Sequence, residues 1–211
     1  MKRAIAIAGN IGAGKSTLVE FLSRTYGVTP FYEPSDENPY LADFYKDMKR
    51  WAFRSQLYFL CSKFRLHQQL DRQPDVVALD RTIFEDAEIF ATALYQMRKI
   101  SKRDWQVYQA FYAAILEAIR PPDLLIYLRC SMRTLRQRIR LRGRKMEQDV
   151  SPAYLKRLDG LYESWIAAYD MSDVLVLDTE RLDYVHDLVH RLDVMQRIEA
   201  VLPPEFGGNS T

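Results

Sequence analysis

Nine residues near the amino terminus, Gly9-Asn10-Ile11-Gly12-Ala13-Gly14-Lys15-Ser16-Thr17, constrain this chain more than any other part of it. They fit G-x-x-x-x-G-K-[ST], a loop that cradles nucleotide phosphates. The context agrees with the motif. Ala4-Ile5-Ala6-Ile7-Ala8 reads as a buried strand leading in, and residues 16–26 read as a helix leading out. Glycines let the backbone turn tightly and aim its N–H groups at phosphate oxygens. The helix N-terminus adds a partial positive charge. In such a loop Lys15 neutralises β/γ-phosphate charge and Ser16 holds Mg²⁺. A chance glycine-rich turn would require neither the strand before it nor the helix after it.

The bulk properties are those of a globular protein. The chain has 211 residues, 48% of them hydrophobic, which suits one domain over 1–211 with a substantial core. A net charge of +2 argues against a nucleic-acid coat and leaves room only for local basic patches. Met1-Lys2-Arg3 runs straight into the first strand, so no signal peptide is expected. The apolar runs are too short to span a bilayer. Cys61 sits in a helical pattern and Cys130 at a strand end, which suggests packed, reduced thiols and a cytoplasmic location.

Strand-like runs at 3–8, 27–32, 76–80, 124–129 and 174–178 alternate with long helical patterns. This predicts an α/β fold of three layers, a five-stranded parallel sheet with helices on both faces. Helical stretches are expected over 40–70 (with a kink), 82–99, 101–119, from Ser151-Pro152 onward, and over 184–201. Pro121-Pro122 stops the third stretch, and Ser151 and Pro152 supply an N-cap and a first-turn proline. Residues from about 205 to 211 read as a loose tail.

Ligands bind open α/β sheets beyond the carboxyl ends of the strands. The second strand ends in Phe31-Tyr32-Glu33-Pro34, which places Glu33 at the mouth of the phosphate site. It is either a base for an attacking hydroxyl or a solvated loop acid. The third strand delivers Asp80-Arg81, either an acid serving Mg²⁺ with an arginine for phosphate charge, or a structural ion pair. Arg133, Arg136, Arg138, Arg140, Arg142, Arg144 and Lys145 form the densest charge run. It can be a nucleic-acid stripe, a solvated face or a phosphate lid. The lid, over about 138–150, is favoured because Arg138 and Arg142 are four apart and Gly143 breaks the helix there. Arg133 or Arg136 is then expected to be merely solvated. Tyr45, Gln56 and Lys63 return to nearly one helix face, where a nucleoside could lie, although polar residues also mark any wet face. His186 and His190 lack a third ligand and read as solvated.

Taken in order, these pieces resemble the deoxyribonucleoside kinase family, in particular its bacterial deoxyadenosine and deoxyadenosine/deoxycytidine kinases. The resemblance rests on Gly9 to Thr17, Tyr32-Glu33-Pro34, Asn38-Pro39-Tyr40-Leu41 with Phe44-Tyr45, and Phe53 with Gln56. It continues through Asp80-Arg81-Thr82-Ile83-Phe84-Glu85-Asp86, Leu141-Arg142-Gly143-Arg144 with Glu147, and Tyr162-Glu163-Ser164-Trp165. It implies an ATP- and Mg²⁺-dependent kinase acting on the 5′-hydroxyl of a deoxynucleoside in nucleotide salvage. Glu33 would be the general base, with Arg81 between it and the phosphates and Asp80 near the metal. Tyr45 and Glu147 would hold the 3′-hydroxyl. Gln56 would pair with the base edge, completed by Lys63 and Asp86. Arg138, Arg142 and Arg144 would cover the donor phosphates, and Glu180, Arg181 and Leu182 would lie near the donor adenine. The family's homodimer implies helix-to-helix pairing within 84–112. Lysine at position 63 departs from the arginine often found there, and Phe59 is bulky for its position.

Within the family a deoxyguanosine-preferring kinase is the alternative, and two other readings compete. A thymidylate-kinase-like nucleotide kinase would need an acceptor phosphate site, beside which Glu33 is a poor neighbour. A nucleotide-dependent regulator or nucleic-acid binder would use the arginine run and show salt-dependent DNA affinity without nucleoside turnover.

Overall fold

The computed structural model describes residues 4–32, 37–70, 73, 75–144, 147, 150–180, 182 and 187–201. Their organising element is β1 (Ala4–Ala8), whose side chains alternate Ala and Ile. Ile5 and Ile7 point to one side, where they pack with Leu18, Val19 and Leu22 of α1 (Lys15–Tyr26) and with Val194 and Ile198 of the last helix. Ala6 and Ala8 point to the other, into a core that includes Phe59, Phe90, Leu155 and Tyr162. Complete burial of each isoleucine contributes about 1.5–3 kcal/mol. This period-two division gives a sheet covered on both faces.

The remaining strands are β2 (Thr29–Phe31), β3 (Val77–Asp80), β4 (Leu124–Arg129) and β5 (Asp173–Asp178). The sheet is parallel throughout, in the order β2-β3-β1-β4-β5, so the expected three-layer α/β fold with five parallel strands is the one observed. β1 lies between β3 and β4, with Ile7 opposite Asp80 and Ile126. The carboxyl ends of β1 and β3 therefore open side by side, next to the glycine-rich loop.

The helices follow the sequence signals with local corrections. The expected 40–70 stretch divides into α2 (Leu41–Lys46) and α3 (Met48–Leu70), because Asp47 leaves the helical region. The 82–99 stretch is α4 (Ile83–Glu85), a π-helical segment Asp86–Ala91, and α5 (Thr92–Gln96). It stops short of Lys99 because Arg98 takes φ 55° and turns the chain. Ser101 caps α6 (Lys102–Leu116), Ser131 caps α7 (Met132–Arg142) and Ser151 caps α8 (Pro152–Ala168), each accepting from an N–H three residues on. The final helix, α9 (Leu188–Glu199), begins later than expected. Asp187 accepts from the Val189 and His190 N–H groups, and 183–186 lie outside the described residues. β2 is shorter than expected because Gly27 ends α1 at φ 69°, with its N–H on the Ser23 carbonyl. Of the two thiols, Cys130 is buried, whereas Cys61 is exposed on α3 and is not packed as expected. Among the described residues no helix is long and apolar enough to cross a membrane.

Candidate active site

The glycine-rich loop joins β1 to α1 by a route that excludes a side chain at Gly12. A Cβ at Gly12 would come within 2.9 Å of Ile139 Cγ1 and 3.0 Å of the Leu135 carbonyl, both on α7. Gly12 also has φ 83°, in the left-handed region. Lys15 is buried and donates from Nζ to the Gly9 and Asn10 carbonyls at 3.0 and 3.1 Å. Asn10 accepts from the Ile11 N–H and donates to the Leu155 carbonyl, tying the loop to α8. Thr17 is exposed on the first turn of α1.

At the end of β3 the Ser16 hydroxyl donates to Asp80 Oδ2. Asp80 Oδ1 is buried and has no hydrogen-bond partner among the described residues. Two hard oxygen donors thus converge beside the loop, one of them with an acceptor to offer. Arg81 follows with φ 67°, unusual for a side chain of its size. Its N–H reaches the Ile7 carbonyl at 3.0 Å, and its guanidinium lies 4.1 Å over the Phe90 ring.

Lys15, Ser16, Asp80 and Arg81 line a cavity of about 280 Å³ together with Gln56, Phe59, Tyr45 and Phe44, and Tyr32, Tyr154, Arg142, Arg144 and Glu147 complete its wall. The volume lies near the lower end of small-molecule sites, roughly 300 Å³. Gln56 is buried, and its Oε1 lacks a partner among the described residues. Glu147 is buried beneath Arg142, which engages both of its carboxylate oxygens, with Arg144 at 3.5 Å.

Several of the expected site residues engage other protein groups in this structure. Lys63 does not line the cavity: its ammonium turns back to the carbonyls of Asp80 and Arg81, at 2.9 and 2.7 Å. Asp86 is buried at the start of the π segment and is not among the lining residues; burial above all, with the Asp86 charge as a lesser cause, raises the Tyr154 and Tyr108 phenols well above the ordinary range. Arg138 and Arg142 turn to different protein groups, Arg142 to Glu147. Arg138 donates to the Ala13 carbonyl (3.0 Å) and to the Thr179 hydroxyl and carbonyl (3.1 and 2.8 Å), so it braces the loop. Glu180 accepts from the Ser131 N–H and hydroxyl at the N-terminus of α7, which lowers its carboxyl below the ordinary range. Leu182 packs against the α1/α9 core. Glu33, Arg181, Lys145 and His186 lie outside the described residues. Arg133 and Arg136 are exposed, as expected of solvated charges.

Sequence reasoning missed Glu85. It is fully buried and accepts four hydrogen bonds, from the Gly9 N–H, the Tyr162 hydroxyl, and the Thr82 N–H and hydroxyl, at 2.8–3.3 Å. It ties the phosphate loop to the β3 exit and to α8. The signal was the Thr82-x-x-Glu85 capping box, which the structure contains. Burial raises the Glu85 carboxyl above the usual range, opposed by the charge of Arg81, the Thr82 N–H, the charge of Lys15 and Tyr162. The folded protein thus retains a proton that the unfolded chain releases. This contribution favours folding at low pH and declines as pH rises from the ordinary to the raised carboxyl range. Glu85→Gln is expected to flatten that part of the stability profile. It should also lower neutral-pH stability by about 1–3 kcal/mol, because an NH₂ would then face a donor. Thermal unfolding at a series of pH values checks both effects.

A family model described as deoxynucleoside kinase matches residues 5–203. The chain belongs to the deoxynucleoside kinase family. The kinase is 35% identical over 200 residues to the deoxyadenosine/deoxycytidine kinase of Bacillus subtilis, covering 94% of this chain and 92% of the relative. It is 36% identical over 206 residues to the deoxyguanosine kinase of Lactobacillus johnsonii, covering 94% and 92%. A solved structure of the deoxyadenosine kinase from M. mycoides, with the products dCMP and a flexible dCDP bound, superposes with a TM-score of 0.84 at 32% identity. It covers 95% of this kinase and all of that chain. The kinase is accordingly a nucleotide-binding phosphotransferase.

Proposed function

We propose that this kinase passes the γ-phosphate of ATP to the 5′-hydroxyl of a 2′-deoxyribonucleoside, with deoxyadenosine the preferred acceptor and deoxycytidine the second, in nucleotide salvage. The observation that carries the proposal is that Lys15 and Ser16 of the phosphate loop, Asp80 and Arg81 at the end of β3, and Gln56 on α3 line one cavity. A phosphate donor and a nucleoside acceptor can meet there with the transferred group between them.

At the phosphate end, the loop N–H groups and Lys15 bind donor oxygens. Ser16 and Asp80 fit Mg²⁺, which takes oxygen ligands and retains waters and phosphate oxygens alongside one or two protein groups. When bound, the ion would neutralise charge on the transferring phosphoryl group. Arg81, with Arg142 and Arg144 on the facing wall, adds fixed positive charge along the same path. Glu33 is the general base for the 5′-hydroxyl. Tyr32, which precedes it, lines the cavity, and Asp80 is already engaged by Ser16. Tyr45 and Glu147 hold the 3′-hydroxyl.

At the base end, the Gln56 amide offers one acceptor beside donors. That matches an amino group next to a ring nitrogen, the edge shared by adenine and cytosine. The similar identities to a deoxyadenosine/deoxycytidine kinase and a deoxyguanosine kinase leave this decision to the site. Gln56→Ala is expected to weaken deoxyadenosine binding by about 1–3 kcal/mol, because base-edge groups lose their partner. Titration calorimetry measures the change.

Exposed Val107, Phe111 and Leu116 on α6 support a homodimer paired through that helix. Free Cys61 and Cys130 suit a cytoplasmic setting. A panel of the four deoxynucleosides, with dAMP as control and ATP–Mg²⁺ as donor, tests the proposal. The highest kcat/KM is expected for deoxyadenosine and none for dAMP. A deoxyguanosine optimum would overturn the base assignment, and dAMP turnover would favour the thymidylate-kinase-like reading.

A further inference from the structure

Lys63 sits on α3 seven residues after Gln56, fully buried. A buried ammonium is costly unless its donors are satisfied. Here one nitrogen donates to two successive carbonyls, those of Asp80 and Arg81. These carbonyls flank the point where β3 ends and Arg81 enters the left-handed region at φ 67°. A conformation of that kind persists only when its surroundings over-determine it. The Ile7 carbonyl restrains the Arg81 N–H and the Phe90 ring restrains its guanidinium, while Lys63 holds the carbonyl on either side.

We propose that Lys63 is a positioning residue for phosphoryl transfer and reads no part of the base. It clamps the turn that sets the Asp80 carboxylate against Ser16 and presents Arg81 to the cavity. Lysine suits the task because its three donors radiate from one compact centre, whereas the planar arginine fork would address carbonyls along fixed directions. Gln56 and Lys63 lie about 10 Å apart along one helix at 1.5 Å per residue. α3 therefore carries the base contact at one point and the phosphate-side clamp at another, and a rigid rod keeps the two in register. This assignment rests on the kinase reading of the cavity.

The test is Lys63→Met, which keeps the stem and removes the donors. The expected result is a kcat for deoxyadenosine at least about tenfold lower and a Mg²⁺ requirement raised severalfold. Deoxyadenosine Kd without ATP should stay within about threefold, and the order of the four deoxynucleosides should not change. Independently of turnover, the Arg81 amide should exchange with solvent at least about tenfold faster than in the wild type. A tenfold weaker Kd or a changed base order at unaltered kcat would overturn the proposal in favour of base reading. A lower Tm with kcat, Mg²⁺ requirement and Arg81 exchange all unchanged would overturn it in favour of mere packing. If the methionine variant does not fold, Lys63→Gln, able to serve one carbonyl, should show the same separation of kcat from Kd at smaller amplitude. Its absence there would equally refute the clamp. A wild-type protein that phosphorylates no deoxynucleoside would refute the kinase reading of the cavity, while Arg81 exchange would still report on the clamp.

Discussion

Replacing Glu33 by Gln is expected to lower kcat about a thousandfold while deoxynucleoside Kd moves by less than about threefold. The substitution preserves size and hydrogen-bonding capacity but removes the ability to take a proton from the sugar hydroxyl. A phosphoryl acceptor that stays protonated is a poor nucleophile, so the loss falls on the chemical step. In the chain Glu33 directly follows Tyr32, which lines the cavity. Asp80, an acid lining the same cavity, has one oxygen committed to the Ser16 hydroxyl. Steady-state kinetics with calorimetry on the same variant separate the two effects. An unchanged kcat would transfer the base role to Asp80.

Asp80→Asn should lower kcat by about a hundredfold or more and raise the Mg²⁺ concentration needed for half-maximal rate. The amide can still accept from Ser16, so the local geometry at the β3 end is retained. What disappears is a full negative charge on a buried oxygen that has no other partner among the described residues. A Mg²⁺ titration of initial rate checks this. Equal shifts in kcat at every Mg²⁺ concentration would argue that Asp80 acts on the nucleophile rather than through the metal.

Much of the fold was legible because it is written in local periodicity. The Ala/Ile alternation of β1 and the serine caps at 101, 131 and 151 act over a few residues, and the structure realises each of them. Lost details depended on single backbone angles. Gly27 shortens β2 by turning left-handed, and Arg98 ends α5 early by the same means. The site divides in a similar way. Lys15, Ser16 and Asp80 share one cavity because strand ends are predictable, whereas Tyr45 and Gln56 meet there from two helices, α2 and α3, since the break at Asp47 removes the single helix face expected for them. The destinations of long side chains were not legible. Lys63 and Arg138 carry charges that sequence assigns to ligands, yet main-chain carbonyls capture them first, at Asp80 and Arg81 and at Ala13 and Thr179. The π segment that buries Asp86 depends on tertiary packing, and no helical periodicity announces it.

The absence of a side chain at Gly12 lets Ile139 and Leu135 press directly against the phosphate loop, and Arg138 stitches the same helix to Ala13. The loop and α7 consequently behave as a single wall. Arg142 and Arg144, on either side of Gly143, both reach Glu147, so the charge at the far end of this wall is anchored to a buried carboxylate.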